Sequence, residues 1–250
     1  MAAPDVERLT APNPGAMTLD GTNTYVVGRD PAVVIDPGPA DEGHIEAVRA
    51  AAESRGGIGT VLLTHSHGDH SGGVGLLGVA PSGVGDGESV AGLTAIATPG
   101  HSDDHLCFAY GDPAASAGEA GGAAPLLFSG DLILGEGFTI VPPAAHGGSL
   151  SDYMTSLRKL DQLDLELIYP GHGPVINDPA AKITEYIEHR EMRERRLVEA
   201  LERGERSRLR LLDEVWDDVP AELRPAAAFA MQAHLEKLAE EGRLPEGLAE

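Results

Sequence analysis

Short runs of apolar and β-branched residues recur through the first two thirds of the chain and predict a series of strands. The run Val61-Leu62-Leu63-Thr64 is typical of a buried strand because no charged side chain interrupts it. Similar runs predict strands at residues 24–28, 32–36, 93–97, 105–110, 125–128 and 165–169. Residues 111–124 are almost all Gly, Ala and small polar residues, which predicts a surface loop. Helical spacing predicts helices over 41–55 and 153–163, so this part has a mixed α/β pattern.

The pattern changes near Asn177-Asp178-Pro179, where a capping residue followed by proline predicts the start of a helix. Two further helical segments are predicted at 209–216 and 221–241. We therefore predict two domains, an α/β domain over residues 1–177 and a small helical domain over residues 178–250.

Composition and charge limit the location and the partners of the protein. The 250 residues are 42% hydrophobic and carry a net charge of −22, which fits a soluble protein and disfavours a nucleic-acid partner. No apolar run approaches the ~18 residues of a membrane span, and the N-terminus lacks the pattern of a signal peptide. The one cysteine, Cys107, cannot form an internal disulfide. These features predict a cytoplasmic protein with no membrane partner.

Arginines cluster between residues 190 and 210, where they alternate with glutamates. A basic groove for RNA is one interpretation, but the interleaved glutamates favour a solvent-exposed helix face. On such a face we expect ion pairs at i,i+4 spacing, for example between Glu191 and Arg195.

The segment Thr64-His65-Ser66-His67-Gly68-Asp69-His70 contains three histidines and an aspartate, a combination that packing alone does not explain. Neutral imidazole is the commonest protein ligand for zinc, and carboxylate oxygen is a frequent second ligand type. If the chain stays extended after the preceding strand, His65, His67 and Asp69 project in the same direction. The segment therefore predicts a metal site, with two ions side by side.

Three further predicted strands are each followed by a turn and then by a histidine or an aspartate. These residues are His101 after 93–97, Asp131 after 125–128 and His172 after 165–169. Together with the first segment they give five histidines and two aspartates, which we expect at one edge of a sheet. These seven side chains are enough to give each of two ions three or four ligands and to leave room for solvent.

These motifs resemble those of the metallo-β-lactamase superfamily, and the resemblance covers nearly the whole chain. It implies a four-layer αβ/βα sandwich of the α/β class, with each motif residue in a defined role. His65, His67 and His101 would hold the first ion, Asp69, His70 and His172 the second, and Asp131 would bridge both. Asp36, in Val34-Ile35-Asp36-Pro37-Gly38, matches the aspartate that supports the histidine-rich loop from behind.

Within that superfamily the motifs resemble those of the lactamase-beta-like group, including Gly21-Thr22-Asn23-Thr24-Tyr25 and His234-Leu235-Glu236-Lys237-Leu238. The resemblance implies a winged-helix-like C-terminal domain. The group includes an endoribonuclease and thioesterases. Only thirty residues separate His70 from His101, fewer than is common in the group. We expect the shortened segment, residues 75–87, to flank the active site and to affect substrate preference.

By this resemblance we expect two zinc ions, with manganese or iron as alternatives, and a bridging hydroxide that attacks the substrate. Asp69 would also orient that nucleophile and thus act in catalysis. The acidic charge favours a small acyl substrate such as a thioester, an ester or a lactone. Cleavage of single-stranded RNA and hydrolysis of β-lactams are the alternatives. His105 is expected either to contact substrate or to lie behind the ligands or at the surface, and Cys107 to lie in the core.

Overall fold

Two β-sheets form the centre of the molecule, whose computed structural model describes residues 4–111 and 124–248. The first sheet contains, in spatial order, β1 (Val6–Thr10), β2 (Asn23–Val27), β3 (Ala32–Ile35) and β4 (Ile58–Leu62). The second contains β5 (Ser89–Val90), β6 (Leu93–Ala97), β7 (Leu106–Tyr110), β8 (Leu126–Gly130) and β9 (Leu167–Pro170). Strands β3 and β4 pair in parallel, as do β8 and β9, and all other pairs are antiparallel. The loop predicted at 111–124 lies, except for its two end residues, outside the described residues.

Within the described residues, seven α-helices surround the sheets: α1 (Glu42–Glu53), α2 (Gly68–Ser71), α3 (Val74–Leu77), α4 (Leu150–Leu160), α5 (Pro179–Glu202), α6 (Arg208–Val215) and α7 (Arg224–Glu240). Three of the long helices begin at a residue whose side chain caps the free backbone N–H groups. Asp41 caps α1, Ser149 caps α4, and Asp178 caps α5 with proline in the first turn, as the sequence predicted.

Alternating side chains sort the apolar residues of each strand into separate layers. In β2, Tyr25 and Val27 face the second sheet, while Val26 packs beneath α1. In β7, Phe108 joins the layer between the sheets, and Cys107 packs against α4 in the core. The order helix, sheet, sheet, helix confirms the predicted four-layer αβ/βα sandwich, and the buried position of Cys107 agrees with the prediction.

The histidine-rich segment does not continue as a strand, so the condition under which His65, His67 and Asp69 would project in the same direction is not met. Strand β4 ends at Leu62, and the backbone N–H of Thr64 leaves the sheet to donate a hydrogen bond of 2.7 Å to Asp36 Oδ1. Helix α2 then begins directly after His67, because the N–H groups of His70 and Ser71 both bond to the carbonyl of His67. His67 and Asp69 reach the site from a turn and a helix, not from alternate positions of a strand.

The C-terminal part is built from α5, α6 and α7 around its own apolar core, which includes Leu197, Leu211, Trp216 and Met231. Helix α5 also packs on the α/β domain, because Ile183 and Tyr186 belong to the core beneath the second sheet. None of the helices in the described ranges is both long enough and apolar enough to cross a membrane.

Three arginines of α5 and Arg203, which directly follows it, are engaged in contacts within the protein and are here called the arginine cluster: Arg190, Arg193, Arg196 and Arg203. Arg190 and Arg193 are buried, and each donates a hydrogen bond of 2.5 Å to a backbone carbonyl, of Thr139 and Val215 respectively. The prediction of a uniformly solvated helix face is therefore wrong at these two positions. Glu191 pairs with Arg158 of α4 at 3.2 Å instead of with Arg195, because α5 packs against α4.

Candidate metal centre

Seven side chains that follow strand ends converge at one end of the sandwich and are here called the His/Asp cluster: His65, His67, Asp69 and His70 after β4, His101 after β6, Asp131 after β8, and His172 after β9. The first four follow a strand of the first sheet and the other three follow strands of the second. The cluster therefore lies between the ends of two sheets, not at the edge of one as expected. The structure brings together all seven residues that the sequence singled out.

Three of the histidines face one another across very short distances. Nδ1 of His67 lies 3.0 Å from Nε2 of His65 and 3.1 Å from Nε2 of His101. Nδ1 of His101 lies 2.9 Å from the carbonyl of Ile140, which only accepts hydrogen bonds, so Nδ1 carries the proton. Nε2 of neutral His101 then presents a lone pair to the cluster. Lone pairs that converge in this way are the donor arrangement that a cation requires.

His65 is oriented in the same sense by a chain of hydrogen bonds. The hydroxyl of Thr64 donates to Asp36 Oδ2 at 2.7 Å, so it accepts from Nδ1 of His65 at 3.0 Å. Nε2 of His65 is thus left with a lone pair that faces His67. Burial first, and then the neighbouring charge of His70, lower the pKa of His65, so that its ring stays neutral.

The other four residues surround a second position. Nε2 of His172 lies 3.3 Å from both Asp69 Oδ2 and Asp131 Oδ1, and Nε2 of His70 lies 3.5 Å and 3.3 Å from the same atoms. Among the described residues, Nε2 of His70 and Oδ1 of Asp131 are buried without a hydrogen-bond partner. Buried polar atoms are rarely left unpaired, so these two indicate that a ligand binds between them. The donor set, imidazole nitrogen with carboxylate oxygen, fits a divalent cation.

The electrostatics of the second position show how strongly it favours positive charge. Burial lowers the pKa of His172, but the neighbouring carboxylates of Asp131 and Asp69 outweigh burial and raise that pKa to about 9. Burial conversely raises the pKa of Asp131, yet the charges of His70 and His172 hold it well below its ordinary value. Without a metal, protons on the imidazoles supply the charge that the carboxylates require.

Asp36 holds the histidine-rich segment in place from behind. Its carboxylate accepts from the Thr64 backbone and hydroxyl and from Nδ1 of His70, the last at 2.9 Å. Its backbone lies in the left-handed region at φ +50°, which is uncommon for a residue other than glycine. Such a conformation persists where the surroundings enforce it, here to aim one carboxylate at three donors. This geometry matches the supporting role that the resemblance implied.

The sequence motifs did not reveal which residues anchor the loop that carries His172. Asn23 donates from its side chain to the carbonyls of Pro170 and Gly173, at 3.0 Å and 2.9 Å. The hydroxyl of the adjacent Thr22 donates to Asp69 Oδ2 at 3.2 Å. Both lie in the segment 21–25, whose resemblance to a known motif was the only available signal, because their partners lie 47 residues (Thr22) and about 150 residues (Asn23) away along the chain.

Gly171 is required by the close approach of the loop to the cluster. A Cβ atom at this position would lie 2.5 Å from Asp131 Oδ1 and 2.7 Å from Cε1 of His70. Both distances are far shorter than van der Waals contact, so any larger residue would displace one of these two side chains.

A cavity of about 330 Å³ opens over the cluster, and four cluster residues line it: His67, Asp69, His101 and Asp131. Its other walls come from residues 16–19, 134–140 and Leu223. The shortened segment 75–87 does not contribute to these walls, so its expected place beside the active site is not confirmed. The N–H of Ser82 instead bonds to Val61 of β4, and the N–H of Gly87 bonds to Ala95 of β6.

His105 lies behind the cluster and neither at the surface nor in this cavity. The side chain is buried, its Nδ1 lies 2.9 Å from the hydroxyl of Thr98, and its ring centroid lies 5.2 Å from that of His65. Burial lowers the pKa of His105 to about 3, so the ring is neutral. Of the roles expected for it, support of the ligands from behind is the one that this position favours.

Comparisons with known proteins identify the family. The model of the Metallo-beta-lactamase superfamily matches residues 17–81 and 116–172, and that of the Beta-lactamase associated winged helix domain matches residues 210–246. The second match supports the winged-helix-like character predicted for the C-terminal domain.

Two curated relatives and one solved structure extend the comparison over nearly the whole chain. Lactamase-like protein adaB of Aspergillus niger is 35% identical, over 96% of this chain and 81% of that protein. Beta-lactamase-like protein 2 homolog of Caenorhabditis elegans is 36% identical, over 95% of this chain and 85% of that protein. A metallo-beta-lactamase family protein from Thermus thermophilus has the same fold, with a TM-score of 0.73 at 23% identity over 95% and 94% of the two chains. The chain therefore belongs to the metallo-beta-lactamase superfamily, and it is a metal-dependent hydrolase.

Proposed function

We propose that the protein is a dinuclear zinc hydrolase that cleaves small acyl substrates, namely thioesters, esters or lactones. The observation that carries this proposal is the convergence of five imidazole nitrogens and two carboxylates, in which buried atoms of His70 and Asp131 face each other unpaired. His65, His67 and His101 would hold one ion, Asp69, His70 and His172 the other, and Asp131 both.

Zinc is the favoured metal because nitrogen ligands outnumber oxygen ligands, although iron and manganese accept the same donors. Two bound divalent ions would supply a nucleophile at neutral pH by lowering the pKa of water, and would polarise the oxygen of the substrate. The hydrogen bonds to Nδ1 of His65, His101 and His172 fix the ring orientations in advance, so the ligands need little rearrangement.

Asp69 is the residue that we propose to act in catalysis as well as in metal binding. It is the more exposed of the two cluster carboxylates, with 28% of its side chain accessible against 11% for Asp131, and it faces the cavity. The hydroxyl of Thr22 and Nε2 of His172 both contact Asp69 Oδ2, which leaves Oδ1 to orient the attacking group.

The charge distribution supports an acyl substrate over RNA. The protein has a net charge of −22, and a polyanion would need a local basic surface to overcome it. The arginine cluster does not offer one, since Arg196 and Arg203 pair with Asp217 and Glu214 and the other two arginines are buried. Endonuclease activity on single-stranded RNA therefore ranks second. Hydrolysis of β-lactams ranks with it, because the curated relatives carry lactamase-like names.

The test combines metal analysis with a substrate panel. We expect close to two zinc ions per chain and hydrolysis of an acyl thioester, aryl ester or lactone by the wild-type protein. Asp69→Ala should reduce the rate more than about a hundredfold, while Asp161→Ala, at an exposed carboxylate that ends α4, should leave it unchanged. Cleavage of RNA alone, abolished by Asp69→Ala, would overturn the proposal, as would a protein with one iron and no zinc. The cytoplasmic location likewise remains a prediction, which fractionation of cells would test.

A further inference from the structure

A second cavity, also of about 330 Å³, lies beside the one over the His/Asp cluster, between the α/β domain and the C-terminal helices. The two cavities share six wall residues: Ala16, Met17, Phe138, Thr139, Ile140 and Leu223. The far end of the second cavity is formed by the C-terminal domain, with Trp216, Val219 and Ala226 among its wall residues. The two cavities are therefore neighbours, separated by residues that line both.

Thr139 connects the two cavities at their shared wall. Its hydroxyl lies 3.3 Å from Nδ1 of His101 on the cluster side. Its carbonyl accepts the 2.5 Å hydrogen bond from Arg190 of α5 on the other side. The second cavity thus begins one residue away from a proposed metal ligand, and α5 fixes the position of the wall.

Most polar groups of the second cavity are engaged with protein atoms, while His189 Nδ1 and Arg190 Nε are buried without a hydrogen-bond partner among the residues that the structure describes. Arg193 donates to the carbonyl of Val215 at 2.5 Å and to Asp218 at 2.8 Å. His189 stacks on Phe138 with ring centroids 3.7 Å apart, and burial lowers its pKa to about 4, so its ring is neutral. What the cavity offers a ligand is chiefly apolar surface from Trp216 and the aliphatic side chains.

We propose that the second cavity binds the acyl arm of the substrate, and that this arm is an apolar chain or ring of medium size. The inference rests on the proposed acyl hydrolase function. The carbonyl would lie at the cluster, the apolar arm would extend past Phe138 and Met17 towards Trp216, and the polar leaving group would remain on the open side. The enzyme would then select thioesters or esters of medium-chain or aromatic carboxylic acids over acetyl compounds.

The C-terminal domain would in this way determine specificity without contributing a metal ligand. Each methylene group transferred from water into the cavity should improve kcat/KM about fourfold, which corresponds to about 0.8 kcal/mol. A series of S-acyl N-acetylcysteamine thioesters from two to ten carbons measures this slope directly. We expect kcat/KM to rise with chain length until the cavity is full.

Two substitutions in α7 distinguish the effect of filling the cavity from a general effect of a large side chain on the helix. Ala226→Phe places a large side chain at the cavity wall, and Ala239→Phe places the same side chain at an exposed position of the same helix. Ala226→Phe should remove the dependence of kcat/KM on chain length. Ala239→Phe should behave like the wild type. If Ala226→Phe does not fold, Met17→Ala, at a side chain that is 54% exposed, should still reduce the slope.

A measurement of binding distinguishes failure of this inference from failure of the proposed function. Trp216 is the only tryptophan in the sequence and it lines the cavity, so its fluorescence reports occupancy without any reaction. Decanoate should change this fluorescence in a saturable way in the wild type but not in Ala226→Phe. That result without hydrolysis of any thioester would support the cavity assignment and contradict the proposed function. Hydrolysis that is independent of chain length, or a response to oligonucleotide but not to decanoate, would overturn the assignment.

Discussion

The His/Asp cluster and the arginine cluster are both dense in ionisable side chains, yet the structure uses them in opposite ways. In the His/Asp cluster the outer nitrogens are tied to protein acceptors, while Nε2 of His70 and Oδ1 of Asp131 face each other unpaired. In the arginine cluster, Arg190 and Arg193 donate to carbonyls inside the protein. An imidazole nitrogen and a carboxylate oxygen that face each other unpaired indicate a ligand site, whereas guanidinium groups that donate to backbone carbonyls support the fold.

Metal removal should have the largest effect of the changes considered, and it should act on the His/Asp cluster alone, because only that cluster is proposed to bind metal. We expect chelation to abolish hydrolysis and zinc to restore it. The free energy of unfolding should also fall, by about 4 kcal/mol if zinc is present at a thousandfold excess over its Kd. Activity assays and thermal melts of the same samples measure both effects. Retained activity in a sample shown by metal analysis to contain neither zinc nor another transition metal would contradict the proposed centre.

The metal-free protein should also show a distinctive pH dependence. In the folded state the pKa of His172 is raised to about 9, whereas in the unfolded chain it lies near the ordinary value of about 6.5. The ion pairs with Asp131 and Asp69 therefore stabilise the fold fully below about pH 6.5, and this stabilisation is lost as the pH rises through about 9. The total is about 3 kcal/mol, from 1.36 kcal/mol per pKa unit.

Urea unfolding of chelated protein at pH 7 and pH 9.5 measures that loss. In the zinc-loaded protein His172 would be a neutral ligand, so the difference between the two pH values should shrink. A chelated protein that is equally stable at both pH values would show that the carboxylates do not hold a proton on His172.

Much of this site could be predicted from the sequence, because each proposed ligand follows a strand and a turn within a few residues of the chain. All seven cluster residues were found in this way and Asp36 through the family resemblance, and each lies in or behind the cluster. The path of the chain between His65 and His70 was not predictable, since it depends on Asp36, which is about thirty residues earlier. The roles of Thr22 and Asn23 likewise depend on partners that are distant along the chain.

The arginine cluster shows the complementary limit. Interleaved Glu and Arg residues on one helix have the same pattern whether the helix faces water or another helix. Burial of Arg190 and Arg193 follows from the packing of α5 against both domains, which the local pattern does not encode. The fold class was predictable because alternation within each strand is local, whereas the domain junction is not.

Asp36→Asn should weaken the hydrogen bonds that hold the His/Asp cluster in place, without removing a metal ligand. The amide keeps the size of the side chain but offers only one oxygen for the three donors of Thr64 and His70. We expect a loss of ten- to a hundredfold in zinc affinity or kcat/KM, which is typical of residues behind a metal ligand. Competition with a chelator measures the affinity. An unchanged affinity and rate would show that the ligands are held without this carboxylate.

Arg193→Ala should have the smallest effect on activity, and it tests the structural half of the comparison. The substitution leaves the carbonyl of Val215 without its buried donor, which should cost about 1–3 kcal/mol of folding free energy. Arg195→Ala, at an exposed position of the same helix, should cost less than about 0.5 kcal/mol. Hydrolysis of an acetyl thioester, too short to reach the second cavity, should stay within about twofold for both variants. If Arg193→Ala instead lost activity on RNA while its stability was unchanged, the arginine would act on a substrate, and the nuclease alternative would replace the acyl hydrolase.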